Sequence, residues 1–215
     1  MSHAELAPSG SKRWLNCPGS VIRLREFPVQ DKSNPAAILG THIHTLSEFK
    51  LRGEIEELLD EIGETYSDHE GDFEVTLEMV EAAEYYCAYV YEVLGEDATM
   101  WIEKKVVLFY HIDDTGTADV VAIVGDTLHV IDLKTGFFKV FAHGNTQLRI
   151  YAGSAYEELI EYYDIEHVHC HIVMTKHKET SDECIPVEEL TAFMSYVTDV
   201  VEVIDNDPTN AKCIA

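Results

Sequence analysis

Residues 130–136, VIDLKTG, read as a buried strand running into a turn, yet the stretch carries two opposite charges, Asp132 and Lys134, spaced by one leucine. Residues two apart on a strand share a face, so both side chains point the same way at the strand's C-terminal end. The β-rich run before it, TADVVAIV at 117–124, adds Asp119. Facing positions on adjacent antiparallel strands stand about 5 Å apart, which brings two carboxylates and an ammonium to one end of the sheet. Isolated charges on a buried face are costly, and two carboxylates repel unless a cation lies between them. Mg²⁺ takes hard oxygen ligands and keeps several waters, so Asp119, Asp132 and the Leu133 carbonyl form a sufficient set. Lys134 is then placed to orient or deprotonate a water, or to neutralise charge developing on a phosphate. The plain alternative is a salt bridge between Asp132 and Lys134 on an exposed strand end.

Outward from this strand, MWIEKKVVLFY (100–110), TADVVAIV and TLHVIDLK (127–134) are three β-rich runs joined by HIDDTG and GD, both with turn chemistry. They predict an antiparallel meander. NTQLRIYAGSAYEELIEYY (145–163) returns to helical spacing, with Leu148, Tyr151, Ala152, Ala155, Leu159 and Tyr162 on one stripe. EHVHCHIVMT (166–175) predicts a fourth strand reached through that crossover helix. TAFMSYVTDVVEVI (191–204) closes the chain as a helix with Phe193, Met194, Val197, Val200, Val201 and Ile204 inward.

The N-terminal part reads as helical. Residues 9–26 are interrupted at Pro18 and Gly19, and AAILGTHIHTLSEFKLRG (36–53) forms one helix whose Gly40 permits close approach of a neighbour. Residues 54–66 read as a polar helical or loose connection, and residues 72–95 as a long helix ended by Gly95. The expectation is an α/β (α+β) fold of one domain over 1–215, with a central mixed sheet of about four strands flanked by helices. Within it, residues 1–97 form a helical part, 98–175 the core sheet and crossover helix, and 186–206 a C-terminal helix.

The chain has 215 residues, and with 46% apolar content it can bury a core. No apolar leader and no run of 18 apolar residues is present, so neither secretion nor membrane spanning is expected. Five scattered cysteines without a CxxC argue against a disulfide framework and for a reducing cytoplasm. The net charge of −25 is uneven: residues 53–97 hold sixteen acids and no Lys or Arg, whereas residues 1–52 hold seven Lys and Arg against four acids. The acidic run reads plainly as a solvated face. The asymmetry also suits a protein that grips phosphates with one side, carrying Lys12, Arg13, Arg23, Arg25, Lys139 and Arg149, and turns the 53–97 segment away.

Gln147 and Tyr151, four apart on the crossover helix, share a face, and His44 sits in GTHIHTLSE on the first long helix. Together these pieces are His44, GTAD ending in Asp119, IDLK with Asp132 and Lys134, and QLRIY with Gln147 and Tyr151. In order and spacing they resemble the PD-(D/E)XK nuclease superfamily, specifically its RecB-like branch, over residues 40 to 151. RWLNCPGS (13–20) and the wording around Asp132 are similar to a phage-encoded, exonuclease-like family of that branch.

The resemblance implies a restriction-endonuclease-like core and a Mg²⁺- or Mn²⁺-dependent deoxyribonuclease, an exonuclease of DNA recombination, repair or host-DNA breakdown. Asp119, Asp132 and the Leu133 carbonyl would hold the metal, His44 would complete the site, and its imidazole suits Mn²⁺ at least as well as Mg²⁺. Asp119, Asp132, Lys134, Gln147 and Tyr151 would be the catalytic set. The implied partners are DNA and, beyond it, a second copy of the chain or a phage recombination or replication protein, in the host cytoplasm. Two other readings stay open: a catalytically silent DNA-binding or assembly module on the same fold, and an acidic DNA mimic that inhibits a basic protein.

Glu103 stands where some relatives carry a further carboxylate, but IEKK reads more simply as surface. His42 lies about 200° round the helix from His44 and cannot share its site. Glu48, at i+4 from His44, is either a partner for its ring or an ordinary surface glutamate. Relatives that carry an iron–sulfur cluster use four cysteines. Here Cys17 stands in the first place and only Cys213 at the far end, so no cluster is expected. His167, His169 and His171 alternate along one strand face and offer zinc ligands, but with no partner motif they read as a half-exposed strand.

Overall fold

The computed structural model of the chain describes residues 5–28, 34–206 and 211. Two short helices, α1 (Ser11–Asn16) and α2 (Gly19–Glu26), precede the long α3 (Pro35–Leu51). Asn34 starts α3 by accepting a hydrogen bond from the Ala37 amide, with Pro35 at the position where a missing N–H costs nothing. A hairpin of β1 (Thr65–Asp68) and β2 (Gly71–Glu74) leads to α4 (Leu77–Leu94), capped by Thr76 and closed by Gly95 at φ 68°. β3 (Thr99–Leu108), β4 (His111–Val124) and β5 (Thr127–Lys134) follow. α5 (Thr146–Leu159) crosses over to β6 (His167–Met174), and β7 (Glu179–Pro186) and α6 (Val187–Asn206) complete the fold.

The main sheet has the order β3-β4-β5-β6-β7, with β5 and β6 parallel and the other pairs antiparallel. It is the expected mixed sheet flanked by helices, with five strands in place of about four. Alternate residues of β5 enter two cores. Leu128 and Val130 pack with Leu148, Ala152 and Ala155 of α5, whereas Ile131 and Leu133 pack with Ile43 and Leu46 of α3 and Val80, Ala83 and Val90 of α4. A third cluster, Trp14, Leu15, Val21, Ile150, Val197 and Val201, ties α1, α2 and α6 to the outside of α5.

Three local expectations are corrected, and one strand is added to them. HIDDTG is strand, not turn: β4 starts at His111 and pairs along β3 through an irregularity between Val107 and Leu108. Residues 72–76 are not helical, because Asp72 and Phe73 pair with Ser67 and Tyr66 in the hairpin and Thr76 caps the helix one step later. The last strand, ETSDECIP, goes unannounced by the sequence: it carries five acids or hydroxyls before its apolar end, since an edge strand needs only one inward face. Tyr162 leaves the α5 stripe and is exposed, because the helix has ended at Leu159.

Two glycines hold close approaches that position the site. A Cβ on Gly40 of α3 would lie 2.7 Å from the Thr135 hydroxyl, so α3 sits against the end of β5. A Cβ on Gly116 would lie 2.8 Å from the Tyr151 ring. The glycine of GTAD is therefore the space that the tyrosine of QLRIY fills.

Candidate active site

The β4–β5 ladder stops at Val120 opposite Ile131. Beyond that pair the strands part, and the next residues on the α5 face are Asp119 and Asp132. The freed Leu133 amide donates to Asp119 Oδ2 at 2.7 Å. A strand residue turns its N–H and C=O toward the same neighbour, so the Leu133 carbonyl also lies on the β4 side of the gap. His44 reaches this gap from α3, its Nδ1 3.4 Å from Asp119 Oδ1.

Glu103 is the third member. Continuing the β3–β4 register between Ile102 opposite Val120 and Lys104 opposite Ala118 puts it across from Asp119. It departs from strand geometry, with φ 49°, a left-handed conformation that costs a non-glycine residue on the order of 1–3 kcal/mol. Ligand atoms of His44, Glu103 and Asp119 all fall within 4.8 Å of one another. The surface reading of Glu103 is thus overturned. The resemblance already marks this position for a carboxylate, and the register against GTAD adds the geometric reason, since IEKK has no buried pattern of its own.

Asp132 stands beside this trio and is held from α5's side. Lys134 Nζ is 2.7 Å from its Oδ2, a contact of charge more than alignment, since that buried oxygen has no well-directed hydrogen-bond donor. Gln147 joins the two, its Nε2 donating to Asp132 Oδ1 at 3.3 Å and its Oε1 accepting from Lys134 at 3.2 Å. Tyr151, one turn on, is buried beneath Gly116, so it braces the site from below and does not face solvent.

The electrostatics follow from this crowding. Burial disfavours a charged His44, but Asp119, then Asp132 and Glu103, outweigh it and raise its pKa to about 9. Asp119 is lowered despite burial because His44, the Leu133 amide and Lys134 all favour its anion. Asp132 is raised, chiefly by burial, with Lys134 only partly compensating. Glu103 is pushed up to about 7 by burial and then by Asp119. The site holds more carboxylate than its own cations can neutralise. One imidazole and two carboxylates within a few ångströms, with a third carboxylate and a backbone carbonyl beside them, fit Mg²⁺ or Mn²⁺.

A cleft of about 800 Å³ opens from Lys134 and Gln147 past Lys12, Lys139, Phe141 and Asn145. The loop after β5 lines it and leaves Phe137 72%, Phe138 89% and Phe141 58% exposed. The acidic hairpin and α4 belong to the other face of the sheet. Two of the expected phosphate-binding arginines are already engaged. Arg25 meets Glu5 at 2.6 Å, and Arg149 meets Glu189 at 2.9 Å and Glu183 at 3.0 Å.

Over residues 3–204 the sequence matches a family described as "Protein of unknown function (DUF2800)". The chain belongs to the DUF2800 family. The match contains every residue of the site, from His44 to Tyr151, as well as all seven strands, so this DUF2800 chain carries site and fold in one unit.

The remaining candidates fall elsewhere. His42 is buried against Phe73, with Asp68 Oδ2 2.6 Å from its Nδ1, and Glu48 pairs with Arg52 at 2.7 Å and does not fix the His44 ring. Cys87 and Cys170 are buried free thiols in α4 and β6, and Cys184 is an exposed free thiol within β7. Cys213 lies outside the described residues. His167 stays at the start of β6, but His169 and His171 meet His129 of β5.

Proposed function

We propose that this DUF2800 chain is a divalent-cation-dependent deoxyribonuclease, hydrolysing phosphodiester bonds from DNA ends as the RecB-like nucleases it resembles do. One observation carries this reading: His44, Glu103 and Asp119 converge beside an Asp132–Lys134–Gln147 chain where β4 parts from β5. The first three side chains would hold the cation, with Asp132 and the Leu133 carbonyl next to it. Such a cation supplies Lewis acidity toward a phosphoryl oxygen.

The chain's own residues support the rest. Burial works against the Lys134 ammonium, yet Asp132 and Asp119 hold its pKa above the usual lysine value. That favours neutralising charge on the phosphate over abstracting a proton. Gln147 fixes the ammonium by accepting from it. Lys12 along the cleft suits phosphates, and the exposed Phe138 and Phe141 suit stacking on bases of a separated strand end.

The test is release of nucleotides from linear DNA by purified protein, with Mg²⁺ or Mn²⁺ and with chelator. Cation-dependent release that disappears in Asp119→Ala supports the proposal. Binding of DNA without release under either cation would instead favour a silent module. Failure to bind DNA at all would favour an acidic mimic.

A further inference from the structure

On the α4 face of the sheet, away from the candidate active site, the parallel register of β5 and β6 sets His129 directly opposite His169, with His171 two residues further along the same face. The three rings form one group: His169 and His171 have centroids 4.0 Å apart, and the His129 Nδ1 lies 3.1 Å from the His171 Nε2. One nitrogen from each ring falls within a common 4.8 Å. We propose that this triad is a zinc site, with His129, His169 and His171 as its three protein ligands and a water or small anion at the fourth position.

Three features argue for a cation over an incidental stack. Two of the three nitrogens left over are already oriented by partners. The second nitrogen of His171, Nδ1, is 3.0 Å from the Tyr89 hydroxyl, and His169 Nε2 is 2.8 Å from Asp182 Oδ2. That is the outer arrangement that fixes the tautomer of a metal-bound imidazole, since each outer N–H donates to an oxygen. It leaves His171 Nε2 and His169 Nδ1 to ligate. Next, tetrahedral zinc with Zn–N near 2.0–2.1 Å separates its ligand nitrogens by roughly 3.3 Å, and the 3.1 Å gap between His129 and His171 is already close to that. Finally, His129 and His171 are buried while His169 is only partly so. The site is therefore closed on the α4 side and open at His169, where a fourth ligand can enter.

The donor set selects the ion. Three imidazoles, with Asp182 on the outer nitrogen of His169 as the one carboxylate against them among the described residues, suit zinc or cobalt and disfavour Mg²⁺, which prefers oxygen. The two centres should thus be separable by face and by mutation, and Mg²⁺ should occupy only the carboxylate one. The inference does not depend on the nuclease reading.

The experiment uses the full chain stripped by chelator, then titrated with Zn²⁺ by calorimetry and with Co²⁺ by visible absorption. In the Asp119→Ala background, which removes a ligand of the other cation site, one equivalent of zinc is expected, with cobalt d–d bands of a nitrogen-rich tetrahedral or five-coordinate site and a raised melting temperature on zinc addition. His169→Gln, at a partly exposed position that tolerates change, should lower zinc affinity at least about 100-fold. Tyr89→Phe should lower it about 10-fold. His44→Ala and Glu103→Gln should leave both the affinity and the cobalt spectrum unchanged. The proposal is overturned if the folded chain takes up no zinc, or if uptake is indifferent to His169 and vanishes in His44→Ala.

Discussion

On the face of β5 that meets α5, Asp132 and Lys134 stand beside Asp119 as buried ions; on the face that meets α4, His129 stands beside His171 as a buried neutral pair. Both groups are shielded from water by the same strands. They differ in their company. Lys134 and His44 lie within reach of three carboxylates, and their charged forms are favoured over burial. Among the described residues, His129 and His171 have no carboxylate in contact. Burial, and then neighbouring imidazoles, lower them to about 4 and about 2. A low-dielectric environment keeps charges only where opposite charges share it. The first region is thus suited to phosphates and hard cations, the second to an ion that binds neutral nitrogen.

The sharpest way to break this contrast is activity. Asp119→Ala and Lys134→Ala should each lower DNA hydrolysis by at least about 10³-fold, as removal of a metal ligand or a charge stabiliser does. His171→Asn should leave the rate within about 3-fold of the unmodified chain. Comparable losses in both sets, measured as initial nucleotide release, would mean that the two regions act as one site.

Stability probes the same difference. Lys134→Met leaves Asp132 buried beside Asp119 without its ammonium, which should cost about 3 kcal/mol near neutral pH. The sign follows from Asp132, whose pKa is already raised in the fold and rises further without Lys134. The penalty is absent below the unfolded carboxylate value, grows as pH rises through the folded value, and is full above it. Denaturant titrations should therefore show the variant recovering toward the parent as pH falls to about 4. A pH-independent deficit would place the loss in packing.

A smaller effect is expected across the sheet. His129→Leu in metal-free protein strands the His171 nitrogen, at a cost of about 1–2 kcal/mol. Because both imidazoles are held neutral in the fold and an unfolded histidine titrates at about 6.5, that cost should be flat between about pH 7.5 and pH 9 and shrink only below it. A cost that changes across that interval would show the imidazoles to be charged and the contrast to be false.

The smallest effect concerns DNA affinity. Lys12→Ala, at the cleft, should flatten the salt dependence of binding by about one unit of slope, whereas Lys139→Ala should leave it unchanged, because both oxygens of Glu179 already engage its ammonium at 2.6 and 2.7 Å. Arg25→Ala should leave the slope unchanged, since its guanidinium is already engaged by Glu5 and Asp205. Equal changes from all three would mean that net charge alone governs binding.

The sequence by itself determined the α/β class, the meander and crossover, and the ordered residues His44, Asp119, Asp132, Lys134, Gln147 and Tyr151. These were legible because strand and helix periods place neighbours at fixed spacings, and each motif lies within one element or a short hairpin. The tertiary structure alone decided what depends on register and on the partner across the sheet. Glu103 joins the site through β3–β4 pairing and a left-handed backbone that no propensity signals. The hairpin and β7 escaped notice because strands exposed on one side need little apolar pattern. Arg149 offered phosphate contact in the sequence, but folding spends its charge on Glu183 and Glu189 from segments more than thirty residues away. His129 acquired His169 and His171 only through parallel pairing across the α5 crossover, because the side-chain alternation along one strand cannot say which strand will lie next to it.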